Sequence, residues 1–163
     1  MKPIDILTNN LIKVVGEGYK PLQPQIEALE QILRAVQDGK RWIWISGNIG
    51  TGKSSVASAY GLALNRYKII QAVNIREYSD LTIIKNCEHL LLDDIGKNPI
   101  KINHMGDYIE VVPFIMYNRV VPYVTIFTSQ HLPDLRIFLD HKAVDDRFKK
   151  YGIEIRLTGT SLR

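Results

Sequence analysis

Apolar residues along this chain follow two rhythms. After Pro24, Ile26, Leu29, Ile32, Leu33 and Val36 recur every three to four positions. That is the spacing of one helical face, with Glu27, Glu30, Gln31 and Arg34 opposite and Gly39 as the stop. "RWIWIS" (41–46) is instead a short apolar run and predicts a buried strand. "KSSVASAYGLALNRY" (53–67) returns to helical spacing, with Val56, Ala57, Tyr60, Ala63 and Leu64 inward. Strands are predicted at 67–74, 89–94, 121–129 and 152–158, the third of these rich in β-branched and aromatic residues. A helix is predicted at 106–119, where Pro113 either kinks it or delays its start, and two short helices at 132–140 and 142–150. Strands alternating with helices imply an α/β fold, a five-stranded and mainly parallel sheet flanked by helices. Residues 1–20 read as a short apolar-flecked lead ending in "GEGYKP", and 21–163 as a single domain.

Composition narrows the class but not the task. The 163 residues are 45% hydrophobic and 23% charged, the balance of a soluble globular domain with one core. No apolar run approaches the roughly 18 residues of a membrane span, and the first residues lack a signal-peptide core. With a single cysteine, Cys87, neither an internal disulfide nor a cysteine-based zinc site is available. A cytoplasmic protein with no membrane partner is the expectation. The net charge of +4 is mild. Lys142, Arg147, Lys149, Lys150, Arg156 and Arg163 crowd the last quarter, diluted by Asp140, Asp145, Asp146 and Glu154 into a mixed-charge surface.

Chemistry enters at "GNIGTGKS", Gly47–Ser54, which fits G-x-x-x-x-G-K-[ST]. A chance glycine-rich turn could spell the same letters, so context decides. Here a predicted strand ends at Ser46 and a predicted helix begins at Lys53, as a phosphate loop requires. Gly47, Gly50 and Gly52 permit turns that aim successive N–H groups at a phosphate, and the helix N-terminus adds its positive dipole end. The binding segment is Gly47, Asn48, Ile49, Gly50, Thr51, Gly52, Lys53, Ser54 and Ser55. In it Lys53 is expected to reach the β- and γ-phosphates and the Ser54 hydroxyl to ligate Mg²⁺.

"HLLLDD" supplies a second anchor some 40 residues on, at the end of a greasy strand. Carboxylates there need a partner. Asp93 is expected to hold Mg²⁺, mostly through water, and Asp94 to orient or deprotonate the attacking water. The alternative is that both cap the following turn, "DIGKNP".

These residues resemble a known family. "GNIGTGKSSVASAYGLAL", "LLLDDIGK", "VTIFTSQ" and "DDRFKKYGIEIRLTGTSLR" are similar, in order, to motifs of the AAA+ ATPases. The nearest branch is that of bacterial helicase loaders and transposition helpers (DnaC, DnaI and IstB types), with the initiator DnaA as a cousin. The resemblance runs from about Tyr19 to Arg163 and includes the terminal G-x-S-x-R shape of Gly159, Ser161 and Arg163. It implies an AAA+ P-loop core with no separate lid domain after the last strand, ATP and Mg²⁺ as ligands, and ATP hydrolysis. It implies that Gln130, in "TSQ", senses the γ-phosphate where the branch usually has Asn; a loop glutamine capping "HLPD" is the plainer reading. It implies that Arg147, in "DDRF", is an arginine finger reaching a neighbouring subunit's nucleotide, against a local pairing with Asp145 or Asp146. Arg119 matches a basic position of the branch as a second trans contact, or is an arginine favoured by a helix C-terminus. With no lid, adenine selection falls to the core, at "YKPLQPQ" (19–25). The implied partners are further copies of the chain in a nucleotide-dependent oligomer, a replicative DNA helicase and single-stranded DNA. Helicase loading or a related replication task is the leading function. A transposition helper and a regulatory module that binds nucleotide with little hydrolysis are the alternatives.

Overall fold

A computed structural model describes residues 2–119, 122–131 and 133–159. Its elements run α1 (Pro3–Val15), α2 (Gln23–Gln37), β1 (Trp42–Ser46), α3 (Lys53–Gly61), β2 (Tyr67–Gln71), α4 (Tyr78–Asn86) and β3 (His89–Ile95). They continue as β4 (Lys101–His104), β5 (Asp107–Glu110), α5 (Val111–Asn118), β6 (Thr125–Ser129), α6 (His141–Tyr151) and β7 (Gly152–Arg156). The main sheet has five parallel strands in the order β2-β3-β6-β1-β7. Strand side chains alternate between its faces. Trp42 and Trp44 of β1 therefore join one core, with Leu81 and Ile84 of α4, Ile115 of α5 and Phe148 of α6. Ile43 and Ile45 join the other, with Leu7 of α1, Leu29 and Ile32 of α2 and Val56 of α3. Burial on both faces explains why β1 reads as an apolar run with no polar alternation and why even the threonines of β6 are buried.

The topology sets the site. From β1 the chain leaves over the α3 face toward β2; from β6 it leaves by α6 toward β7, on the other side of β1. The direction of winding thus reverses between β1 and β6, and a crevice opens at their carboxyl ends. The loop 47–52 and the two aspartates lie there.

Several elements differ from expectation. The lead forms helix α1, which buries Leu7 and Leu11, packs against α3 and α2, and donates from Asn10 Nδ2 to the Ala59 carbonyl of α3 at 3.2 Å. Helix α3 stops at Gly61 rather than Tyr67. A Cβ at residue 61 would lie 2.6 Å from the Tyr67 ring, which packs into the space glycine leaves, and Ala63 is exposed rather than inward. The predicted strand 67–74 ends at Gln71, and the chain then makes a 3₁₀ turn over Ala72–Asn74. Helix α4 answers to no predicted element; Asp80 caps it by accepting from the Arg76 and Glu77 amides, each at 2.9 Å. The predicted helix 106–119 is helical only over Val111–Asn118. Pro113 sits in its first turn, where no intrahelical N–H is missed. Residues before it form the hairpin β4–β5, closed by Met105 and Gly106 at φ 54° and 92°, a two-residue turn with both central residues left-handed. The predicted helix at 132–140 shrinks to a 3₁₀ turn over Leu135–Ile137.

Candidate nucleotide site

Loop 47–52 leaves β1 and enters α3 at Lys53. Gly47 is required by its surroundings: a Cβ would fall 2.2 Å from the Leu157 carbonyl oxygen, at φ +153°. Gly52, at φ +89°, makes the left-handed step into the helix. Within the loop the Thr51 hydroxyl donates to the Asn48 carbonyl at 3.0 Å. Lys53 Nζ donates to the carbonyls of Gly47 and Asn48 at 2.8 and 2.9 Å, folding the ammonium over the loop. Burial pulls the Lys53 pKa below its ordinary value, and the charges of Asp94 and then Asp93 oppose that shift. Asn48, Ile49 and Ser54 are exposed, and Ser55 is half-buried.

The paired aspartates occupy a β-bulge. Leu92 is in register with Phe127 and Ile95 with Ser129, so Asp93 and Asp94 together oppose Thr128 alone. One hydroxyl serves both: Thr128 Oγ1 donates to Asp93 Oδ1 at 2.5 Å and accepts from the Asp94 amide at 2.8 Å. Asp93 is buried and also accepts from Ser54 Oγ at 2.7 Å and from Gln71 Nε2 at 2.8 Å. Asp94 takes φ +58°, a left-handed conformation that costs an ordinary side chain roughly 1–2 kcal/mol. In a regular strand its side chain would point opposite to that of Asp93. The bulge re-aims it, leaving Asp94 exposed and its charge felt at Lys53. Sequence reasoning missed Gln71 and Thr128. Each is a polar residue in the last two positions of its strand, a signal that gains meaning only once those strands are known to flank β3.

The remaining candidates divide. Gln130 follows β6 directly and lines one cleft with Asp94, Ile95, Gly96, Lys97 and His131, so these two candidate residues are brought together. Arg147 is not brought to the loop. It lies on α6, its guanidinium 4.6 Å from the Tyr117 ring centroid and Nη1 at 3.5 Å from the Met116 carbonyl. The acidic neighbours do not hold it, and Asp145 pairs with Lys149 at 2.5 Å. Arg119 is buried in this chain rather than exposed to a neighbour, at 5% accessible. Its guanidinium donates to the carbonyls of Ile84, Cys87 and Glu88 at 2.6, 2.5 and 2.7 Å and to Thr125 Oγ1 at 3.2 Å. It thereby caps the C-terminal end of α4, where the helix dipole favours a cation. Ser161 and Arg163 lie outside the described residues.

The donor set suits a hard cation. Ser54 and Asp93 offer a hydroxyl and a carboxylate oxygen within 2.7 Å, beside a helix N-terminus that favours phosphate. Among the described residues no group of three or more His, Cys, Asp or Glu side chains could hold a metal. No helix among them is long and apolar enough to cross a membrane.

No family model matches the sequence, and neither does any curated protein. Solved structures do match the fold. AMPPCP-bound DnaA from Aquifex aeolicus superposes with a TM-score of 0.61 at 20% identity, over 96% of this chain and 50% of that one. The replication initiator DnaA bound to AMPPCP and single-stranded DNA gives 0.51 at 18% identity, over 98% and 51%. A DNA replication initiation factor gives 0.52 at 16% identity, over 86% and 48%. The chain thus spans about half the length of the structures it matches. Five parallel strands, helices on both faces and a glycine-rich loop leaving β1 give this chain the fold seen in the matched part of DnaA.

Proposed function

We propose that this chain binds ATP with Mg²⁺ at Gly47–Ser55 and hydrolyses it. We further propose that it works as a helicase loader or related DNA-replication accessory factor, assembled through shared nucleotide sites. The observation that carries the nucleotide reading is the 2.7 Å contact between Ser54 Oγ and the Asp93 carboxylate, reached across 39 residues of chain. Those two groups would hold Mg²⁺, which when bound would neutralise phosphate charge. Lys53 and the N–H groups at the start of α3 would grip the β- and γ-phosphates. Asp94, held out by the bulge, would orient the attacking water or take its proton, with Gln130 across the same cleft. Arg147 would act in the neighbouring copy's site, since its contacts within this chain lie on α5. The likeness to AMPPCP-bound DnaA supports the ligand, and the likeness to a DnaA bound to single-stranded DNA supports a replication setting. A replicative helicase as partner rests on the motif resemblance, and a cytoplasmic location on the cysteine usage and apolar patterning of the sequence.

ATP binding and turnover by the purified chain, with and without single-stranded DNA, test the proposal. Lys53→Ala should abolish binding; Asp94→Asn should keep binding and lose turnover. Arg147→Ala and Lys53→Ala chains, each inactive alone, should partly recover activity when mixed. No recovery in demonstrated oligomers would sink the shared site. A second reading, a regulatory module with little hydrolysis, draws on the stacking of Arg147 on Tyr117, and ATP binding without turnover under any condition would favour it.

A further inference from the structure

Gln25 closes the stretch 19–25 that the motif resemblance ties to adenine selection, yet its side chain turns toward the glycine loop. It opens α2, 26 positions before Thr51 in the chain, and is 1% accessible. Its amide is saturated on the oxygen side. Oε1 accepts from the Tyr19 hydroxyl at 2.6 Å and from the Leu22 amide at 3.1 Å. On the other side Nε2 donates to the Thr51 carbonyl at 3.3 Å. The orientation of the amide follows from its partners, because the Leu22 N–H can only donate and the Thr51 carbonyl can only accept.

From this we infer that Gln25 is a positioning residue for the phosphate grip, acting through the Thr51–Gly52 peptide. The C=O and N–H of one trans peptide point in opposite directions in a common plane. Gln25 lies beneath the loop and holds the Thr51 oxygen inward, so the Gly52 N–H is turned outward. Gly52 is the residue just before Lys53, with φ +89°, and its conformational freedom makes that peptide the one most able to rotate if released. The same side chain fastens Tyr19–Leu22 to the loop, so the segment before α2 and the phosphate loop form one unit. This inference rests on the nucleotide reading of the loop.

Gln25→Glu separates the two halves of the clamp. A carboxylate still accepts from Tyr19 and Leu22 but repels the Thr51 oxygen instead of donating to it. Protonation restores a donor, and burial raises the pH at which that happens. Relative to wild type, Gln25→Glu should bind ATP with Mg²⁺ about tenfold more weakly at pH 8, the worth of one buried hydrogen bond with its unpaired partner. It should regain most of that affinity at pH 5.5, with wild type measured at each pH as the reference. Should this variant not fold, Gln25→Met, similar in volume and without donor or acceptor, should show the same loss with no recovery at low pH. A folded variant that matches wild type at pH 8, or a Gln25→Glu loss that persists at pH 5.5, overturns the positioning role alone. Wild-type protein that binds no ATP overturns the nucleotide reading and this inference together.

Discussion

Replacing Thr128 by valine removes one hydroxyl and little else, because the two side chains are close in volume. That hydroxyl is the single partner that holds both aspartates at the bulge, at 2.5 Å from Asp93 Oδ1 and 2.8 Å from the Asp94 amide. A hydrogen bond to a carboxylate contributes about 1.5–3 kcal/mol, and one to a backbone N–H about 1 kcal/mol. Burial of the new methyl offsets about 1 kcal/mol. Asp93 keeps Ser54 and Gln71 as donors, so its charge is not stranded. The net loss should be roughly 1.5–3 kcal/mol, and at about 2–4 °C per kcal/mol for a domain of this size the melting temperature should fall by about 3–12 °C. Function should suffer more than stability. Without its anchor the Asp94 backbone relaxes from φ +58° toward extended geometry, and its carboxylate swings to the face of β3 away from Lys53. Chemical denaturation followed by circular dichroism measures the first effect, and single-turnover ATP hydrolysis the second. Turnover should drop at least about tenfold while ATP affinity changes little, since a positioned general base contributes far more than that. Thr128→Ser, which keeps the hydroxyl, should retain turnover. If Thr128→Val holds wild-type stability and turnover, the bulge is not what aims Asp94.

Other outcomes follow from the same geometry. Arg119→Met should destabilise the fold by roughly 3 kcal/mol by denaturation, because it orphans the carbonyls of Ile84, Cys87 and Glu88 at and just past the end of α4, and should leave ATP affinity unchanged; unchanged stability with lost self-association would support the trans-contact reading. Gly47→Ala should abolish nucleotide binding measured by fluorescence titration, since the new methyl collides with the Leu157 backbone at 2.2 Å. His89 accepts from the Val124 amide at 3.0 Å, and burial lowers its pKa below the ordinary 6.5. Its neutral form is the one the fold favours, so this stabilisation is complete above about pH 6.5 and is lost as pH falls from there through the lowered folded value. Denaturation midpoints between pH 7.5 and 5.5 should accordingly fall less steeply for His89→Gln than for wild type.

The sequence alone determined the features whose physics is local. The glycines at 47, 50 and 52 before Lys53 describe a loop wherever the chain goes, and the apolar run ending at Asp93 and Asp94 declares a buried strand with charge at its tip. Alternation of strand and helix was enough for a parallel sheet covered on both faces. Boundaries failed where a distant contact outweighed local preference, as when the Tyr67 ring filled the space at Gly61 and ended α3. The hairpin β4–β5 was hidden because Met105–Gly106 is an uncommon pair for its turn and the residues around it also suit a helix. Roles that depend on which strands are neighbours could not be read at all. Gln71 and Thr128 reach Asp93 only because β2 and β6 flank β3, and Gln25 reaches Thr51 only because α2 packs beside α3. Arg119 is written in the chain like any surface arginine, and only the packing of α4 against α5 encloses it. Spacing along a chain encodes contacts within an element; order and register between elements arise from the whole core finding its lowest free energy, which no single stretch of sequence contains.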